Sequence, residues 1–347
     1  MQHTIRTPSL TFAALLALGL LAACGGSASR PSLTATSTPQ GSGSLVAAQP
    51  TPTAAPELKG TINVSGAFAL YPLMIQWSEE FQKLHPNVRF NISAGGAGKG
   101  MSDALGGLVE IGMVSREISP NEVERGAFYV ASAIDAVVPV TNAANPLREE
   151  ILSKGLRRED FANIWITGKV TDWKDLYPGA KAFGDTALHV YTRSDAAGAP
   201  ETWAAYLGKK QENLLGIGVF GDPGLAEAVR RDPVGAGFNN VGYAYDASAK
   251  KQNAGLLVIP IDINGNGAID PDENFYEDRA DLVEAIANRV YPYPPARPLY
   301  LVGKGPFTGV AKEFVTWILT DGQKFNIESG YVPISQDRIK SDLEKLQ

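Results

Sequence analysis

Three short segments place small residues where a main chain can bind an anion. They span residues 65–69, 94–100 and 193–199, and each follows a strand pattern and precedes a helix pattern. The first N–H groups of a helix have no partner within it, and the helix dipole is positive at that end, so an anion is favoured there. One such turn is weak evidence, because tight strand-to-helix turns need glycine anyway. Three turns, with Arg193 in the third, predict an oxyanion site.

The chain offers little for nucleotide binding or catalysis. A nucleotide P-loop needs Ser or Thr after its Gly-Lys pair, but Lys99 is followed by Gly100. Among the 3 histidines, His85 precedes a proline at a predicted helix end and His189 falls in a predicted strand. No activated nucleophile is visible. We therefore expect a binding protein and disfavour an enzyme that acts on phosphate esters.

A second pattern predicts a metal site that is independent of the anion site. Residues 262–273 match the twelve-residue calcium loop, with a glycine at its sixth position. The ligands would be Asp262, Asn264, Asn266, the main-chain carbonyl of Ala268, Asp270 and Glu273. The alternative is an acidic Asn-Gly turn without a metal. Because a strand pattern at 256–261 precedes the loop, we expect a structural Ca²⁺ rather than a paired EF-hand switch.

The N-terminus predicts export and lipid anchoring. Residues 1–23 carry Arg6 and an apolar run at 10–21 that is too short to span a membrane. The run ends in Leu-Ala-Ala-Cys24, which resembles a bacterial lipobox; the alternative is an ordinary secretory signal with an incidental cysteine. Residues 24–57 are rich in Ser, Thr and Pro and predict a disordered tether. We expect an extracytoplasmic protein anchored at the cell surface or in the periplasm.

Composition excludes several other classes. The 347 residues carry a formal net charge of -6, which argues against a nucleic acid as the partner. With 1 cysteine and 3 histidines, the chain can form neither an intramolecular disulfide nor a Cys/His zinc site.

The globular part is predicted to begin near Leu58 and to alternate strands with helices. Strands are predicted at 60–65, 88–92, 110–114, 133–140, 188–192, 256–261 and 299–302, and helices at 71–84, 101–108, 158–164, 200–207, 282–290 and 310–319. This alternation indicates an α/β fold with a mixed or parallel sheet.

The chain resembles the phosphate-binding proteins of bacterial phosphate ABC transporters, a branch of the periplasmic-binding-protein superfamily. The segments that carry the resemblance are EIGMVSR at 110–116, IDAVVPV at 134–140 with Asn145-Pro146, GKVTDW at 168–173, RPLY at 297–300, and Gly322-Gln323 with GYVP at 330–333. Together they span about 60–334, most of the mature chain.

The resemblance implies a type II fold in which two α/β lobes, joined by two hinge strands, close over the ligand. Lobe 1 would comprise 58–143 and 296–347, and lobe 2 would comprise 144–295. It also implies a monomer that binds phosphate without a metal at the anion and delivers it to an ABC permease.

The resemblance also implies which residues contact the ligand. The positions are Ala69, Leu70, Ala97, Gly98, Ser115, Arg116, Arg193, Asp195, Ala197, Gly198 and Ala199. Arg193 matches the family's phosphate-binding arginine, and Asp195 matches the acid that orients it. Alanine replaces the family's usual hydroxyl residue at up to four of these positions, and Arg116 stands where some relatives carry an acceptor Asp. Another oxyanion, or a surface sensor or adhesin without transport, therefore stays open as an alternative.

Overall fold

Nine strands form the sheet that organises the molecule. The computed structural model describes residues 57–181 and 184–347; the predicted signal peptide, Cys24 and all of the tether except Glu57 lie outside these ranges. The strands are Gly60–Gly66 (β1), Val88–Ala94 (β2), Ile111–Val114 (β3), Ala127–Asn142 (β4), His189–Arg193 (β5), Ile217–Val219 (β6), Gly235–Asn240 (β7), Leu256–Val258 (β8) and Ala296–Lys304 (β9).

Thirteen α-helices connect and cover these strands in the described ranges. They are Tyr71–Leu84 (α1), Ala97–Gly106 (α2), Pro120–Glu124 (α3), Arg148–Lys154 (α4), Arg158–Trp165 (α5), Trp173–Leu176 (α6), Gly198–Tyr206 (α7), Gly221–Arg231 (α8), Val241–Ala244 (α9), Arg279–Ala287 (α10), Gly309–Leu319 (α11), Lys324–Glu328 (α12) and Gln336–Lys345 (α13). Short 3₁₀ turns occur at Phe68–Leu70, Gln211–Asn213 and Asp321–Gln323. Within 57–181 and 184–347, no helix combines the length and the apolar character needed to cross a bilayer.

The sheet is mixed, with the strand order β2-β1-β3-β9-β4-β7-β5-β6 and with β8 paired to β4. At one end β1 runs parallel to β2 and β3, and at the other end β5 runs parallel to β6 and β7. Between these parallel groups, β4 and β9 pair antiparallel to each other and to their outer neighbours. Each parallel group receives its helices through strand-to-helix turns, as the alternation of elements in the sequence predicts.

Two hydrophobic cores flank the point where β4 and β9 run side by side. Ala133 and Leu299 belong to one core, which also contains α1, α2 and α11. Ala136 and Ala296 belong to the other, which contains α5, α7 and α8. Both long strands therefore pass from one core into the other, and this confirms the α/β two-lobe architecture with two hinge strands. The lobe boundaries near 143 and 296 stay a prediction, since by its contacts 54–347 forms one unit.

Helix α1 shows that apolar residues at regular helical spacing predict a helix and its buried face. Leu73, Met74, Trp77 and Phe81 recur at helical spacing and are all buried. Pro72 lies in the first turn, where a missing N–H costs nothing, and the helix has the predicted bounds. Each fully buried large apolar side chain stabilises the fold by roughly 1.5–3 kcal/mol, so this face alone fixes α1 to the first core.

Other elements differ from their predicted bounds. Helix α2 begins at Ala97, so the first helical turn contains residues that were expected in the preceding loop. Strand β4 extends from Ala127 to Asn142, well beyond the apolar run that predicted it. The sequence patterns did not predict β7 (GAGFNN) or α8 (GDPGLAEAVRR). Glycine and asparagine in β7, and the Pro-Gly pair at the start of α8, are more typical of turns and loops than of strands and helices.

Candidate oxyanion-binding site

The three glycine-rich turns meet in the folded chain. Gly66 ends β1 with a φ of 131°, and a Cβ there would lie 2.7 Å from the Cα of Gly100, at the start of α2. The N–H of Gly98 donates to the carbonyl oxygen of Ala196 in the third turn at 3.1 Å. Glycine is required at both places because main chain approaches main chain. The second turn therefore contacts both the first and the third.

Arg193 lies at the end of β5, and its side chain is 1% exposed. Its Nε and Nη2 donate to the two carboxylate oxygens of Asp195 at 2.7 and 2.5 Å, and Nη1 donates to Asp222 at 2.6 Å. Burial opposes the charge of Arg193, but Asp222 and Asp195 outweigh burial and raise its pKa above the ordinary value. An arginine has five N–H donors, so two remain beyond these three bonds.

A chain of buried polar groups extends from Arg193 to the hinge strands. Asp222 accepts a hydrogen bond from Nδ2 of Asn240 at 2.6 Å, and Asn240 in turn accepts one from Nη2 of Arg297. Arg297 also donates from Nε to the carbonyl oxygen of Ser115 at 3.1 Å. Its Nη1 lies 3.5 Å from a carboxylate oxygen of Asp135, its register partner across β4 and β9. The direction of the Arg193 guanidinium is thus fixed by Asp195 on one side and by Asp222, with the groups that hold it, on the other.

Main-chain N–H groups supply the other donors at the three turns. Six of those in the 3₁₀ turn and in the first turns of α2 and α7 donate to no acceptor within 57–181 and 184–347: those of Phe68, Ala69, Ala97, Lys99, Gly198 and Ala199. They belong to the 3₁₀ turn and to the first turns of α2 and α7, where N–H groups have no helical partner. Replacing a hydroxyl side chain by alanine leaves such donors in place. The turns therefore retain donors for an anion.

Phe68 forms an apolar wall beside the arginine. Its ring lies 5.5 Å from the Arg193 guanidinium carbon and packs edge-on against Phe220 and Tyr243, with ring centroids 6.1 and 6.5 Å apart. Tyr243 also donates its hydroxyl to the Phe68 carbonyl oxygen at 3.2 Å. Aromatic rings exclude water from the guanidinium and lower the local dielectric, which strengthens any hydrogen bond to an anion.

Several predicted site residues offer only their main chain. Ala69 and Ala97 are buried in the first core, and so is the side chain of Leu70. The carbonyl oxygen of Ala69 accepts the Tyr331 hydroxyl at 2.6 Å, which holds the first turn in place. Gly198 packs directly against Ser115, so any side chain at position 198 would collide with that serine. These contacts explain the small residues at the turns.

Arg116 is directed elsewhere. Its Nη atoms donate to both carboxylate oxygens of Glu122 on α3 at 3.0 and 2.7 Å, and its Nε lies 3.2 Å from Glu201 on α7. The hydrogen bonds to Glu122 raise the pKa of Arg116 despite its partial burial. Arg116 therefore connects α3 to α7. Its role as a ligand residue stays a prediction that these contacts do not support.

The structure gathers the expected calcium-loop side chains in one turn. Asp262 accepts the N–H groups of Gly265 and Gly267 at 2.7 and 2.8 Å, and Glu273 accepts that of Asn264 at 3.0 Å. Asp270 accepts both asparagine side-chain amides, from Asn264 at 2.9 Å and from Asn266 at 2.8 Å. In the described part of the chain, however, no group of three or more His, Cys, Asp or Glu side chains is placed to hold a metal ion. The calcium site stays a prediction.

Two residues of the polar chain that begins at Arg193 were not predicted from the sequence. Asp222 and Asn240 lie on α8 and β7, the helix and strand that were not predicted. The signal at Asp222 was present, because Asp followed by Pro is typical of a first helical turn. Asn240 gave no comparable signal, since an asparagine at the end of a glycine-rich stretch usually indicates a loop.

The family described as "PBP superfamily domain" matches residues 50–322, which is most of the chain. The chain belongs to the PBP superfamily. The resemblance found in the sequence is thereby confirmed at the level of the superfamily.

Individual members of this superfamily are similar to the chain in sequence and in structure. The phosphate-binding protein PstS of Bacillus subtilis is 24% identical over 285 residues, covering 82% of this chain and 84% of that protein. PstS of Methanocaldococcus jannaschii is 27% identical over 335 residues, covering 81% of this chain and 84% of its own length. Among solved structures, a phosphate ABC transporter substrate-binding protein from Clostridium perfringens with bound phosphate superposes with a TM-score of 0.64 at 24% identity. It covers 80% of this chain and 100% of that one. This likeness confirms the fold.

Asp135 makes folding stability depend on pH. Burial raises its pKa from 3.8 to about 6, against the attraction of Arg297. The folded protein therefore holds this proton more tightly than the unfolded chain does, and the resulting stability is complete below pH 3.8 and lost as the pH rises to about 6. The two pKa values correspond to a loss of about 3 kcal/mol. We expect the unfolding free energy of the wild type to fall relative to that of Asp135→Asn by about 2 kcal/mol between pH 4 and pH 7 in urea titrations. Parallel pH profiles for the two proteins would contradict this.

Proposed function

We propose that this protein binds phosphate between its two lobes and delivers it to an ABC transporter permease, without catalysing a reaction. The observation that carries the proposal is the buried Arg193 guanidinium, held by Asp195 and Asp222 beside the three turns. A fixed planar donor group together with free main-chain N–H groups suits a small tetrahedral anion. The named relatives from Bacillus and Methanocaldococcus, both phosphate-binding proteins, support the choice of phosphate.

Closure of the two lobes would bury the anion. Contacts between the proposed lobes are present in the structure. The Gly98 N–H donates to Ala196, and the Tyr243 hydroxyl donates to the Phe68 carbonyl oxygen. Arg116 pairs with Glu122 in its own lobe and with Glu201 across the same gap. We take lobe 1 as 58–143 with 296–347 and lobe 2 as 144–295, so opening would rotate β4 and β9 and break the bonds across this gap.

The alanines at the turns favour a second candidate. The family resemblance implies hydroxyl side chains at up to four positions where this chain has alanine, namely Ala69, Ala97, Ala197 and Ala199. Each lost hydrogen bond to a charged ligand is worth about 1.5–3 kcal/mol. A protein with fewer donors would bind phosphate weakly, or would prefer another oxyanion such as sulfate. A sensor or adhesin that kept the fold would bind none.

The protein's place at the membrane is part of the same proposal. Cys24 follows an export-type apolar run and precedes a tether rich in Ser, Thr and Pro, an arrangement that suits lipidation and a monomer held outside the cytoplasm. Mass spectrometry of the N-terminal peptide would distinguish a lipidated Cys24 from an unmodified one.

Calorimetric titration tests the anion. We expect saturable one-to-one binding of phosphate to the wild type, and at least 100-fold weaker binding to Arg193→Ala. The variant loses two charge-assisted donors and leaves Asp195 and Asp222 without their cation, which repels an anion. Sulfate and arsenate are titrated in parallel. A preference for sulfate would replace phosphate by another oxyanion, and no heat with any of the three would favour the sensor or adhesin.

Two matched variants make this titration specific. Arg148→Ala removes an arginine that is exposed and paired only with its neighbour Glu149, so phosphate affinity should not change. Ala197→Ser restores a hydroxyl at the start of α7, next to free N–H groups, and should tighten phosphate binding about tenfold or more. If Ala197→Ser binds phosphate no better than the wild type, residue 197 does not face the anion. Circular dichroism of Arg193→Ala separates lost binding from lost folding.

We also propose that residues 262–273 bind a structural Ca²⁺. Oxygen side chains alternate along the loop, and Asp262 and Glu273 are already buried and oriented by main-chain N–H groups. A metal that binds only the folded state stabilises that state by about 2.7 kcal/mol when the free metal concentration is 100 times the dissociation constant.

Chelation tests the calcium proposal. We expect EDTA to lower the melting temperature of the wild type by several degrees and to leave that of Glu273→Gln unchanged. Glu277→Gln is the matched control, because Glu277 is exposed and pairs with Lys251 outside the loop. Identical wild-type melting curves in EDTA and in Ca²⁺ would leave an acidic turn that binds no metal.

A further inference from the structure

A cavity of about 370 Å³ lies between α10 and the segment that follows α12, away from Arg193. Its wall is mostly apolar and includes Ala280, Val283, Ala287, Val332 and Pro333. The two sides come from different parts of the chain. α10 packs into the second core, and so does Val332 in the opposite wall, whereas its neighbours Tyr331 and Ile334 belong to the first core. Nothing in the proposed phosphate site uses this space.

One buried cation lines this cavity. Arg279, the first residue of α10, is only 3% exposed. Its guanidinium donates to three main-chain carbonyl oxygens, those of Ala247 and Glu328 at 3.1 Å and that of Ser329 at 3.4 Å. None of the ion pairs within the described ranges includes Arg279. Burial lowers its pKa against a weaker opposing attraction from Asp246, a carboxylate that forms no ion pair with Arg279 in these ranges.

The unpaired charge distinguishes Arg279 from the other two buried arginines discussed above. Arg193 has two carboxylates and Arg297 has one within 4 Å. A buried charge is costly unless it is paired. A guanidinium beside a cavity, with no carboxylate of the described residues within ion-pair distance, therefore favours an anion within that cavity. Two of its five N–H donors, on Nε and Nη1, have no acceptor among the described residues.

The rest of the lining indicates what kind of anion would fit. Gly330 has a φ of 85°, and a Cβ there would lie 2.8 Å from Nε of Arg279, so glycine is required for the guanidinium to lie against this wall. Lys250 adds a second cation that is exposed. Glu284 and Glu328 also line the cavity, but both are exposed and neither pairs with Arg279. A fully hydrated inorganic ion would leave the apolar wall uncovered.

We propose that this cavity binds a small organic acid, with its carboxylate on Arg279 and its apolar body against Val283 and Val332. The carboxylate supplies the missing counter-charge, and the apolar body removes the exposed wall from water. The bonds from Arg279 to Glu328 and Ser329 connect α10 to the chain of the other core, so the ligand would lie where the two cores adjoin. The site does not depend on which anion Arg193 binds.

A matched pair of compounds tests the charge. The full chain is titrated with cyclohexanecarboxylate and, separately, with cyclohexylmethanol, which has the same ring but no charge. We expect saturable one-to-one binding of the acid and at least tenfold weaker binding of the alcohol. No saturable binding of the acid, or equal binding of the two compounds, would overturn the proposal.

Matched variants test the location. Ala287→Leu fills the cavity without touching the guanidinium and should weaken acid binding at least tenfold, as should Arg279→Gln. Ala205→Leu places the same side chain at an exposed alanine on α7 and should have no effect. Unchanged acid binding in Ala287→Leu would place the ligand elsewhere and refute the assignment. Because Arg279→Gln also removes bonds between chain segments, Ala287→Leu remains decisive if the glutamine variant does not fold.

Discussion

A continuous line of polar side chains, most of them buried and charged, connects the third glycine-rich turn to strands β4 and β9. It runs from Asp195 through Arg193, Asp222 and Asn240 to Arg297 and Asp135. Each charge is tolerable in the interior only because the next group compensates it, so no member can move alone. This constraint orients the Arg193 guanidinium, and it places the same network at the strands about which lobes of this fold move. The proposed anion site and the hinge strands therefore share one polar network, whose last link, from Arg297 to Asp135, is an ion pair at 3.5 Å rather than a hydrogen bond.

The same network explains how a site poor in hydroxyl groups can still suit an anion. Alanine at the turns removes side-chain donors but leaves the main-chain N–H groups of the 3₁₀ turn, α2 and α7. Small residues also allow the turns to approach within van der Waals contact, as at Gly66, Gly98 and Gly198. Close approach and side-chain donors compete for the same space. In this chain small residues allow the turns to approach one another closely. The Phe68 ring then excludes water from the remaining face of the Arg193 guanidinium.

Two arginines outside the anion site illustrate what a guanidinium does in different surroundings. Arg116 is satisfied by Glu122 and Glu201 and acts as a connector between α3 and α7. Arg279 is as deeply buried as Arg193, yet it has only carbonyl oxygens as partners and lines an open cavity. Residue type alone does not distinguish these roles. The number of carboxylates within reach does, and that number is set by packing.

The sequence by itself determined the α/β class, helix α1 and the three glycine-rich turns, since all of these depend on neighbours along the chain. The pairing of Arg193 with Asp195 was implied by the family resemblance, and the structure shows it. Only the tertiary structure decided that Asp222 and Asn240 complete the arginine's surroundings and that Arg116 turns to two glutamates. These contacts join residues far apart in sequence, through β7 and α8, whose glycine and proline content hides their local pattern. Local periodicity records which face of an element is buried, but not which distant group it meets there.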